Sequence, residues 1–320
     1  MIIFKLPYHE TVYTTDTQSS DCFVNFFSFD SLQKLPFSGK IIPVENKFTD
    51  ALEWNPVAAP ESREFEEKQE YLERLNRTID LIKSSGIPKL VLSRRKKISY
   101  SQISLNQTFQ NLCRSYPNAL VYAFMHGNEI WCGAFSELLG KFNKSSGLFE
   151  TMSLAGTLGI DEIWSDKEIH EQQTVTDYIA EILSKYSSEV MQSQTTDHIS
   201  GNIKHLRTDL SAKISPDQLE RLIGELHPTP AVCGTPVAFC KEAIQKIEKY
   251  PREFYAGFSK IETGEEVYFF VNLRCAKIWS DHAELFVGGG ITAQSSPEKE
   301  WEETELKSQA VARNLAAKFS

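Results

Sequence analysis

The sequence predicts an α+β fold built on large antiparallel sheets. Strand-like segments occur in consecutive pairs joined by short turns, the helical segments are grouped, and the regular strand–helix–strand alternation of a parallel sheet is absent. The 320 residues can bury a large core without a disulfide or a metal to stabilise it. Because no shift in composition divides the chain, we expect a single domain over residues 1–320.

The amino-terminal part contains the first predicted elements. The first fifty residues mix aromatic residues with Ser, Thr and Asp, which predicts short strands and turns. Apolar residues at roughly helical spacing predict a helix over Glu61–Ile82, which Gly86 and Pro88 end. The apolar segment Lys89–Ser93 then predicts a buried strand.

The rest of the chain alternates between groups of strands and groups of helices. A turn at Gly127 joins one strand pair as a hairpin. A capping box at Ser165 and Glu168 begins one helix, and Ser-Pro pairs begin two others. Residues 187–202 are polar and predict a loop or a short strand. The predicted strands are Ala119–His126, Glu129–Phe135, Leu138–Phe142, Phe149–Leu154, Phe254–Lys260, Val267–Lys277 and Ala283–Val287. The predicted helices are Ile103–Tyr116, Ser165–Tyr186, Ser215–Leu226, Val237–Tyr250 and Ser296–Phe319.

The composition restricts the class of protein. Hydrophobic residues make up 41% and charged residues 24% of the chain, which is typical of a globular protein. The net charge of −9 disfavours nonspecific nucleic-acid binding, which depends on cationic contacts to phosphates. The six cysteines form no C-x-x-C pair, so we expect reduced thiols in a cytoplasmic protein. No signal-peptide pattern opens the chain and no run of 18 apolar residues predicts a membrane span.

Charged residues interrupt two apolar patterns, and such interruptions tend to mark functional sites. Glu171 lies one helical turn before Val175 and continues the apolar face of its predicted helix. The alternative is a solvated glutamate that interacts with the helix dipole. Lys89 precedes an apolar strand, and its alternative is a lysine at a sheet edge with the ammonium in water.

The carboxy-terminal region carries two more candidate features. Glu300, Glu303 and Lys307 share one face of the last predicted helix, although Glu303 and Lys307 could simply form a surface ion pair. The glycine run Gly288–Gly290 follows a strand, and its backbone N–H groups could approach an anion closely. It matches neither a Walker A loop nor a G-x-G-x-x-G motif, and the alternative is an ordinary turn.

Nine segments, taken in order, resemble the chorismate-utilising enzymes, and among them the isochorismate synthases. Each segment alone is a weak signal, but their shared order over residues 85–310 is specific. The first 84 residues are shorter and more divergent than is usual for the family. The matching segments are Lys89–Arg94, Gly133–Leu139, Leu154–Thr157, Lys167–Glu171, His227–Gly234, Tyr255–Gly257, Leu273–Lys277, Gly288–Ile291 and Ser296–Lys307.

The resemblance implies a fold and a reaction. The fold is an α/β sandwich of two large, mainly antiparallel sheets with outer helices, in agreement with the α+β prediction. The reaction is the isomerisation of chorismate to isochorismate, in which water adds at C2 and the C4 hydroxyl leaves. Mg²⁺ is the implied cofactor, chorismate the implied small-molecule partner, and a monomer the implied state.

The resemblance also implies catalytic roles for two residues. Lys89 matches the base that deprotonates the attacking water, for which desolvation or nearby positive charge must make the ammonium give up its proton near neutral pH. Glu137 matches the acid that protonates the departing hydroxyl, and an apolar or anionic environment would keep it protonated. Because attack and departure occur on opposite faces of the ring, we expect the two side chains to face each other across it.

The remaining implied roles concern the metal and the substrate. Glu171 and Glu303 match the Mg²⁺ ligands, since two carboxylates suit an octahedral ion that keeps waters and binds the ring carboxylate of the substrate. Glu168 and Glu300, one turn earlier, would order metal-bound waters. The implied substrate contacts are Gly156 and Thr157 near C4, His205 and Ala231 in the pocket, Tyr255 and Arg274 at the enolpyruvyl carboxylate, the backbone N–H groups of Gly288, Gly289 and Gly290, and Lys307 near the metal.

Other functions stay open on the sequence. Ammonia-using relatives lack a lysine at the position of Lys89, whereas salicylate synthases share it and also eliminate pyruvate. The latter tend to carry Thr where Ala231 stands. A non-catalytic chorismate-binding protein is a third possibility, against which the intact Lys89 and Glu137 argue. Two departures from the family pattern are Ser136, where Pro is usual, and Gln172, where a His often follows the metal-binding Glu. The sequence does not distinguish menaquinone from siderophore biosynthesis.

Overall fold

The computed structural model describes residues 1–44, 55–60, 64–200 and 203–319. Their strands form two large antiparallel sheets on which the helices pack, as the sequence predicts. The helices are α1 (Lys68–Ser85), α2 (Leu105–Ser115), α3 (Asp166–Ser184), α4 (Leu219–Leu226), α5 (Val237–Ile247) and α6 (Pro297–Ala312). The first ten strands are β1 (Ile2–Lys5), β2 (Val12–Thr15), β3 (Val24–Phe27), β4 (Lys34–Phe37), β5 (Ile41–Pro43), β6 (Lys89–Ile103), β7 (Leu120–His126), β8 (Glu129–Phe135), β9 (Leu138–Asn143) and β10 (Leu148–Gly159). The others are β11 (Val190–Gln192), β12 (Thr196–Ser200), β13 (Ile203–Lys213), β14 (Gly234–Thr235), β15 (Phe258–Glu262), β16 (Glu266–Val271), β17 (Cys275–Ile278), β18 (His282–Ile291) and β19 (Ala317–Phe319).

The first sheet has the strand order β14-β6-β18-β17-β8-β7-β1-β2-β5, and β19 also pairs with β6. The second sheet has the order β11-β13-β10-β9-β16-β15-β3-β4, and β12 also pairs with β13. The longest ladders, β6 with β18 and β10 with β13, are antiparallel. The chain therefore crosses between the two sheets several times.

Aromatic side chains join the two sheets in the main core. The Phe26 ring of β3 lies 4.8 Å from the ring of Tyr122 and 5.0 Å from that of Phe124, both in β7 of the other sheet. A second, smaller core, which includes Phe109 of α2 and Val311 of α6, covers the other face of the first sheet. Both faces of the first sheet are thus buried.

The amino-terminal strands belong to both sheets. β1 pairs with β7 in the first sheet, and β3 pairs with β15 in the second. The first 44 residues therefore contribute strands to each sheet and form no layer of their own. This arrangement supports a single domain over residues 1–320, which stays a prediction.

Two segments differ from the sequence prediction, because in each of them the chain changes direction within a buried, mostly apolar stretch. The predicted strand Val267–Lys277 is two strands, β16 and β17, which belong to different sheets. Arg274 lies between them in a left-handed conformation with φ +45°. The predicted strand Phe254–Lys260 begins only at Phe258, because left-handed residues at Glu253 and Ala256 make the preceding segment a turn. Apolar residues lie on both sides of each break, so hydrophobic periodicity does not detect it.

Other differences concern the bounds of elements. α1 begins at Lys68, and part of the predicted start at Glu61 lies outside the described residues. The last helix ends at Ala312, and the residues that follow form β19 against β6. No element was predicted for β13, in which the buried His205 and Thr208 interrupt the apolar alternation of a strand. The capping box predicted at Ser165 is confirmed.

Candidate active site

One pocket brings together nearly all of the residues singled out in the sequence. It has a volume of about 1140 Å³ including its open mouth, which suits a small-molecule ligand. Residues from both sheets and from α3 and α6 form its wall. The predicted site residues that line it are Lys89, Glu137, Gly156, Thr157, Glu168, Glu171, His205, Ala231, Tyr255, Arg274, Gly288, Gly289, Gly290, Glu303 and Lys307. Glu300 lies outside this lining.

Lys89 lies at the first position of β6 with its side chain in the pocket. Its ammonium donates a hydrogen bond to Glu171 Oε1 at 2.5 Å, and only 9% of the side chain is exposed. The alternative of a sheet-edge lysine with its ammonium in water is therefore wrong. Glu171 is also partly buried, with 18% of its side chain exposed, and it is not the solvated glutamate of the other alternative.

Gly290 makes the position of Lys89 possible. A Cβ atom at Gly290 would lie 2.4 Å from Cε and 3.0 Å from Nζ of Lys89, and 3.5 Å from Glu171 Oε1. Such distances exclude any side chain at this position without movement of the lysine. The glycine therefore provides the space in which the Lys89–Glu171 pair forms.

The glycine run is part of strand β18, which corrects the prediction of a loop or turn. It pairs with β6, where Gly290 is opposite Val91 and Gly288 is opposite Ser93. The N–H groups of Val91 and Ser93 donate away from β18. Val91 with Gly290 and Ser93 with Gly288 are therefore non-hydrogen-bonded pairs, in which both residues direct their backbone groups away from the partner strand. Gly288 and Gly290 thus direct their N–H groups away from β6, while Gly289 is bonded to it. Only two of the three glycines can thus offer N–H groups to an anion.

Glu137 lies at the bend where the chain passes from β8 in the first sheet to β9 in the second. Its carbonyl accepts a hydrogen bond from Val271 N at 3.0 Å, which fixes the bend to β16. Burial raises the pKa of the Glu137 carboxyl to about 7, against the opposing effect of the positive charges of Lys89, Arg274 and Lys307. The environment is buried and cationic, which corrects the expectation of an apolar or anionic one. A carboxyl with this pKa can donate or accept a proton near neutral pH.

Two carboxylates from separate helices face the pocket, and each is paired with a lysine. Glu171 of α3 binds Lys89, and Glu303 of α6 binds Lys307 Nζ at 2.6 Å. The ion pair between Glu303 and Lys307 that was the alternative interpretation does form, but both residues line the pocket and the pair is not on the outer surface. Desolvation is the largest single effect and opposes ionisation of Glu171, but the charge and hydrogen bond of Lys89, with the charges of Lys307 and Lys167, together lower the pKa of Glu171. Both carboxylates are therefore held by lysine ammonium groups within the pocket.

The two glutamates one turn earlier differ from each other. Glu168 accepts a hydrogen bond from Ser165 N at 3.1 Å as part of the capping box, so helix capping already occupies one of its oxygens. Glu300 is buried beside Glu303, and burial followed by the charge of Glu303 raises its pKa. Its Oε2 atom accepts no hydrogen bond from the described residues. Lys167 lies 3.9 Å from the other oxygen of Glu300.

These carboxylates fit a divalent cation that keeps part of its water shell. The buried, unpartnered oxygen of Glu300 lies on the same helix face as Glu303, and Glu171 supplies a second anion from α3. No group of three or more His, Cys, Asp or Glu side chains among the described residues is already arranged to hold a metal. Mg²⁺ commonly binds through one or two carboxylates and retains waters, so two anionic ligands suffice.

A cationic and a neutral side chain form the other end of the pocket. His205 Nδ1 lies 2.8 Å from Gly156 O and 3.2 Å from Thr157 Oγ1, and Nε2 lies 3.4 Å from Arg274 Nη2. Burial, with the charge of Arg274, lowers the pKa of His205 to about 3, so the imidazole is neutral. Nδ1 then carries the proton given to Gly156 O, and Nε2 accepts from the guanidinium. His205 thus orients Arg274.

Tyr255 and Arg274 are held in place by a residue that sequence reasoning missed. Asn272 O accepts from Ala256 N at 2.8 Å, and Asn272 Oδ1 accepts from Tyr122 OH at 3.1 Å. These bonds fix the two left-handed turns from which Tyr255 and Arg274 enter the pocket. The apolar run around Asn272 gave no local signal of this role.

Other missed residues support the wall opposite. Arg252 is buried, pairs with Glu248, and donates to Val232 O at 2.7 Å and Val91 O at 2.9 Å. It therefore ties the segment that contains Ala231 to strand β6. Lys167 lines the pocket too, and its position within a matched segment was the only signal that could have found it.

The fold and the pocket define a class of protein. The family model described as "Chorismate binding enzyme" matches residues 40–316, and the chain belongs to this family. The vibriobactin-specific isochorismate synthase of Vibrio cholerae is 27% identical over 264 residues, which cover 76% of this chain and 66% of that protein. Isochorismate synthase EntC of Escherichia coli is 30% identical over 286 residues, which cover 82% of this chain and 70% of that protein. The chain thus spans slightly less than two thirds of the Vibrio cholerae relative.

A solved structure shows the same fold. The menaquinone-specific isochorismate synthase MenF of Escherichia coli superposes with a TM-score of 0.78 at 18% identity, covering 98% of this chain and 88% of that one. Among the described residues, no helix combines the length and the apolar character that crossing a membrane requires.

Proposed function

We propose that this chain is an isochorismate synthase, which converts chorismate reversibly to isochorismate with Mg²⁺ as cofactor. The observation that carries the proposal is one shared pocket, in which Lys89 and Glu137 lie together with Glu171, Glu303 and Arg274. Membership of the family makes chorismate the expected ligand. The relatives named above are isochorismate synthases, which supports the same reaction here.

The substrate carries two carboxylates, so the pocket must supply positive charge within an acidic protein. Arg274 and Tyr255 would bind the enolpyruvyl carboxylate, and neutral His205 would keep the guanidinium oriented. Glu171 and Glu303 would hold Mg²⁺, which when bound neutralises the ring carboxylate and fixes the ring. The substrate is then held at both ends between Lys89 and Glu137.

Lys89 would accept the proton of the attacking water. Its ammonium is bonded to Glu171 at 2.5 Å, and a protonated amine has no lone pair with which to act as a base. The ammonium therefore has to separate from Glu171 and lose a proton to solvent water before the reaction begins. The water oxygen then bonds to C2 while its proton moves to Nζ.

Glu137 would donate a proton to the hydroxyl that leaves C4. The C4–O bond breaks, the ring double bonds shift, and the leaving group departs as water, so one water is consumed and one is released. Because burial raises the pKa of Glu137 to about 7, the protonated form is well populated near neutral pH. In the reverse direction the two residues exchange roles.

The experiment that tests the proposal is a product assay. We expect the protein, incubated with chorismate and Mg²⁺, to form isochorismate without salicylate, pyruvate or, in the presence of ammonia, an aminated product. Salicylate with pyruvate would identify a salicylate synthase, and chorismate binding without turnover would identify a binding protein. Either result would overturn the proposal.

The variant Lys89→Ala tests the base. We expect it to fold with an unchanged circular dichroism spectrum and to lose at least about 100-fold in kcat, the usual contribution of a general base. The matched control is Lys83→Ala, at the exposed end of α1, which should keep wild-type turnover. Turnover of Lys89→Ala at the wild-type rate would remove Lys89 from the mechanism.

We also propose that the protein acts as a monomer in the cytoplasm. All six cysteines are free thiols and four of them are buried, which a reducing compartment would maintain. Size-exclusion chromatography with light scattering should give a mass near the 36.4 kDa of one chain. A mass of twice that value would contradict the monomer.

A further inference from the structure

A second pocket lies directly beside the active-site pocket. It is formed by the end of α2 at Tyr116, by α6, and by the residues that follow α6. It holds about 860 Å³, including its open mouth. Ile203, Arg274 and Lys307 line both pockets, so these three residues form the wall between them.

The second pocket is cationic in a protein that is acidic overall. Its charged lining residues are Arg274, Lys307 and Arg313, and none of the described residues that line it is acidic. The whole chain has a net charge of −9, which repels an anionic ligand at long range. Arg274 and Arg313 place two guanidinium groups beside the active site, where they offset this repulsion, while the Lys307 ammonium is paired with Glu303 at 2.6 Å.

The wall of this pocket is preformed. Tyr116 OH donates to Ala310 O at 3.0 Å, Ser115 Oγ donates to Asn314 Oδ1 at 2.7 Å, and Asn314 Nδ2 donates to Ala310 O at 2.9 Å. These bonds fix the carboxy-terminal end of α6 against the end of α2. Arg313 extends from this fixed point and is exposed, so its guanidinium is available to a ligand from solvent.

We propose that the second pocket is a transit site, which binds a carboxylate of the substrate before the substrate passes the shared wall into the active site. This inference rests on the proposed function, because the ligand is the dicarboxylate of that reaction. Arg313 first binds the carboxylate, and Arg274 and Lys307, which face both pockets, receive it next. The anion therefore stays in contact with positive charge along the whole path. Nothing in the reaction itself requires Arg313, so its contribution is to capture and not to chemistry.

The test is the charge reversal Arg313→Glu, measured by steady-state kinetics with chorismate and Mg²⁺ over a range of ionic strength. At low ionic strength we expect KM to rise about three- to ten-fold with kcat unchanged, because the introduced carboxylate repels the dianionic substrate. In high salt this repulsion is screened, so the difference in KM should vanish. Arg313→Lys keeps the positive charge and should restore most of the loss. Arg77→Glu, an exposed residue of α1 that lines neither pocket, changes the net charge equally and is the control.

The outcomes separate this inference from the proposed function. If wild-type protein forms no isochorismate, the proposed function has failed and the transit site fails with it. If wild-type protein turns over and Arg313→Glu behaves like Arg77→Glu, only the transit site is wrong. A fall in kcat at unchanged KM would also overturn it, because Arg313 would then act on the chemical step.

Discussion

At the scale of single residues, burial decides which groups of the pocket can exchange protons. Glu137 is buried beside three cations, and burial still raises its pKa to about 7. His205 is buried beside Arg274, and its pKa falls to about 3. Between pH 5 and 8, therefore, Glu137 changes its protonation state while His205 stays neutral. Among these two, only Glu137 can give the pocket a pH dependence in that range.

The variant Glu137→Gln should abolish turnover and stabilise the fold at neutral pH. A carboxyl whose pKa is higher in the folded than in the unfolded protein favours folding when protonated, and this contribution is lost as pH rises through the folded pKa. The pKa difference corresponds to on the order of 3 kcal/mol above pH 7 and to almost nothing near pH 4.5. Urea unfolding of both proteins at pH 5 and pH 8 measures the effect.

The control for this prediction is Glu181→Gln, an exposed carboxylate of α3, which should change the free energy of unfolding by less than about 0.5 kcal/mol at either pH. In the wild-type enzyme, kcat/KM should fall as pH rises through about 7, because the acid form of Glu137 disappears. If wild type and Glu137→Gln had the same free energy of unfolding at pH 8, ionisation of Glu137 would not destabilise the folded protein, and the prediction would be wrong.

The variant Glu171→Gln should raise the Mg²⁺ concentration needed for half-maximal rate by at least about ten-fold. Mutation of a residue that only supports a metal ligand already lowers metal affinity by about this factor. It also removes the carboxylate that holds Lys89 at 2.5 Å. Isothermal titration with Mg²⁺ gives a readout independent of turnover. Glu181→Gln on the same helix is the control, and an unchanged metal affinity in Glu171→Gln would exclude Glu171 as a ligand.

At the scale of elements, strand β18 shapes the pocket by the side chains that it lacks. Gly290 leaves the space that Lys89 occupies. A Cβ atom at Gly289 would lie 3.3 Å from Oε2 of Glu300, so this glycine leaves space beside that carboxylate. A strand with side chains at both positions would fill the space between the base and the carboxylates. The main role of these glycines is therefore to leave space for Lys89 and the carboxylates, and donation of their backbone N–H groups to an anion is secondary.

The variant Gly290→Ala tests this role of the strand. Its methyl group would displace Lys89, so we expect a loss of at least about 100-fold in kcat/KM, comparable with removal of the base itself. Gly224→Ala on α4 is the matched control, because no atom lies within 4 Å of its added Cβ, and it should raise stability by up to about 1 kcal/mol. A Gly290→Ala enzyme with normal kinetics would show that Lys89 does not act from this position.

A helix residue that departs from the family pattern has a clear structural role. Gln172 Nε2 lies 3.0 Å from Ser153 Oγ of β10, 2.8 Å from Thr176 Oγ1 of its own helix and 2.7 Å from Thr208 Oγ1 of β13. The amide thus fixes α3 to two strands of the second sheet next to Glu171. The departure removes no group of the pocket, because Gln172 points into the packing between helix and sheet.

The sequence predicted elements well where one face is buried, and less well elsewhere. The α3 helix, its capping box and the inward position of Glu171 follow from spacing alone, and the structure confirms them. Strand β13 was missed because its buried His205 and Thr208 are polar. Arg274 was known only from the resemblance, since the break that brings it into the pocket lies within an apolar run. Long-range contacts such as those of Arg252 leave no local pattern at all.

At the scale of the whole molecule, the pocket depends on the two sheets being held together. Lys89 belongs to the first sheet and His205 to the second, so their separation is set by the core between the sheets. The amino-terminal strands contribute to that core although they supply no residue to the pocket lining. Phe26 lies at this junction, in contact with Tyr122 and Phe124 of the opposite sheet.

The variant Phe26→Ala should therefore destabilise the whole chain and not only its first strands. Loss of a fully buried phenylalanine costs about 3–5 kcal/mol, and in a single domain the cost applies to every element at once. We expect far-UV circular dichroism and the fluorescence of the five tryptophans, among them the buried Trp131 of β8, to give the same lowered midpoint in urea. Leu32→Ala, which removes an 83% exposed side chain from the same part of the chain, should leave both midpoints unchanged. If Phe26→Ala instead separated the two signals, the strands of residues 1–44 would unfold on their own, and the prediction of one domain over residues 1–320 would be wrong.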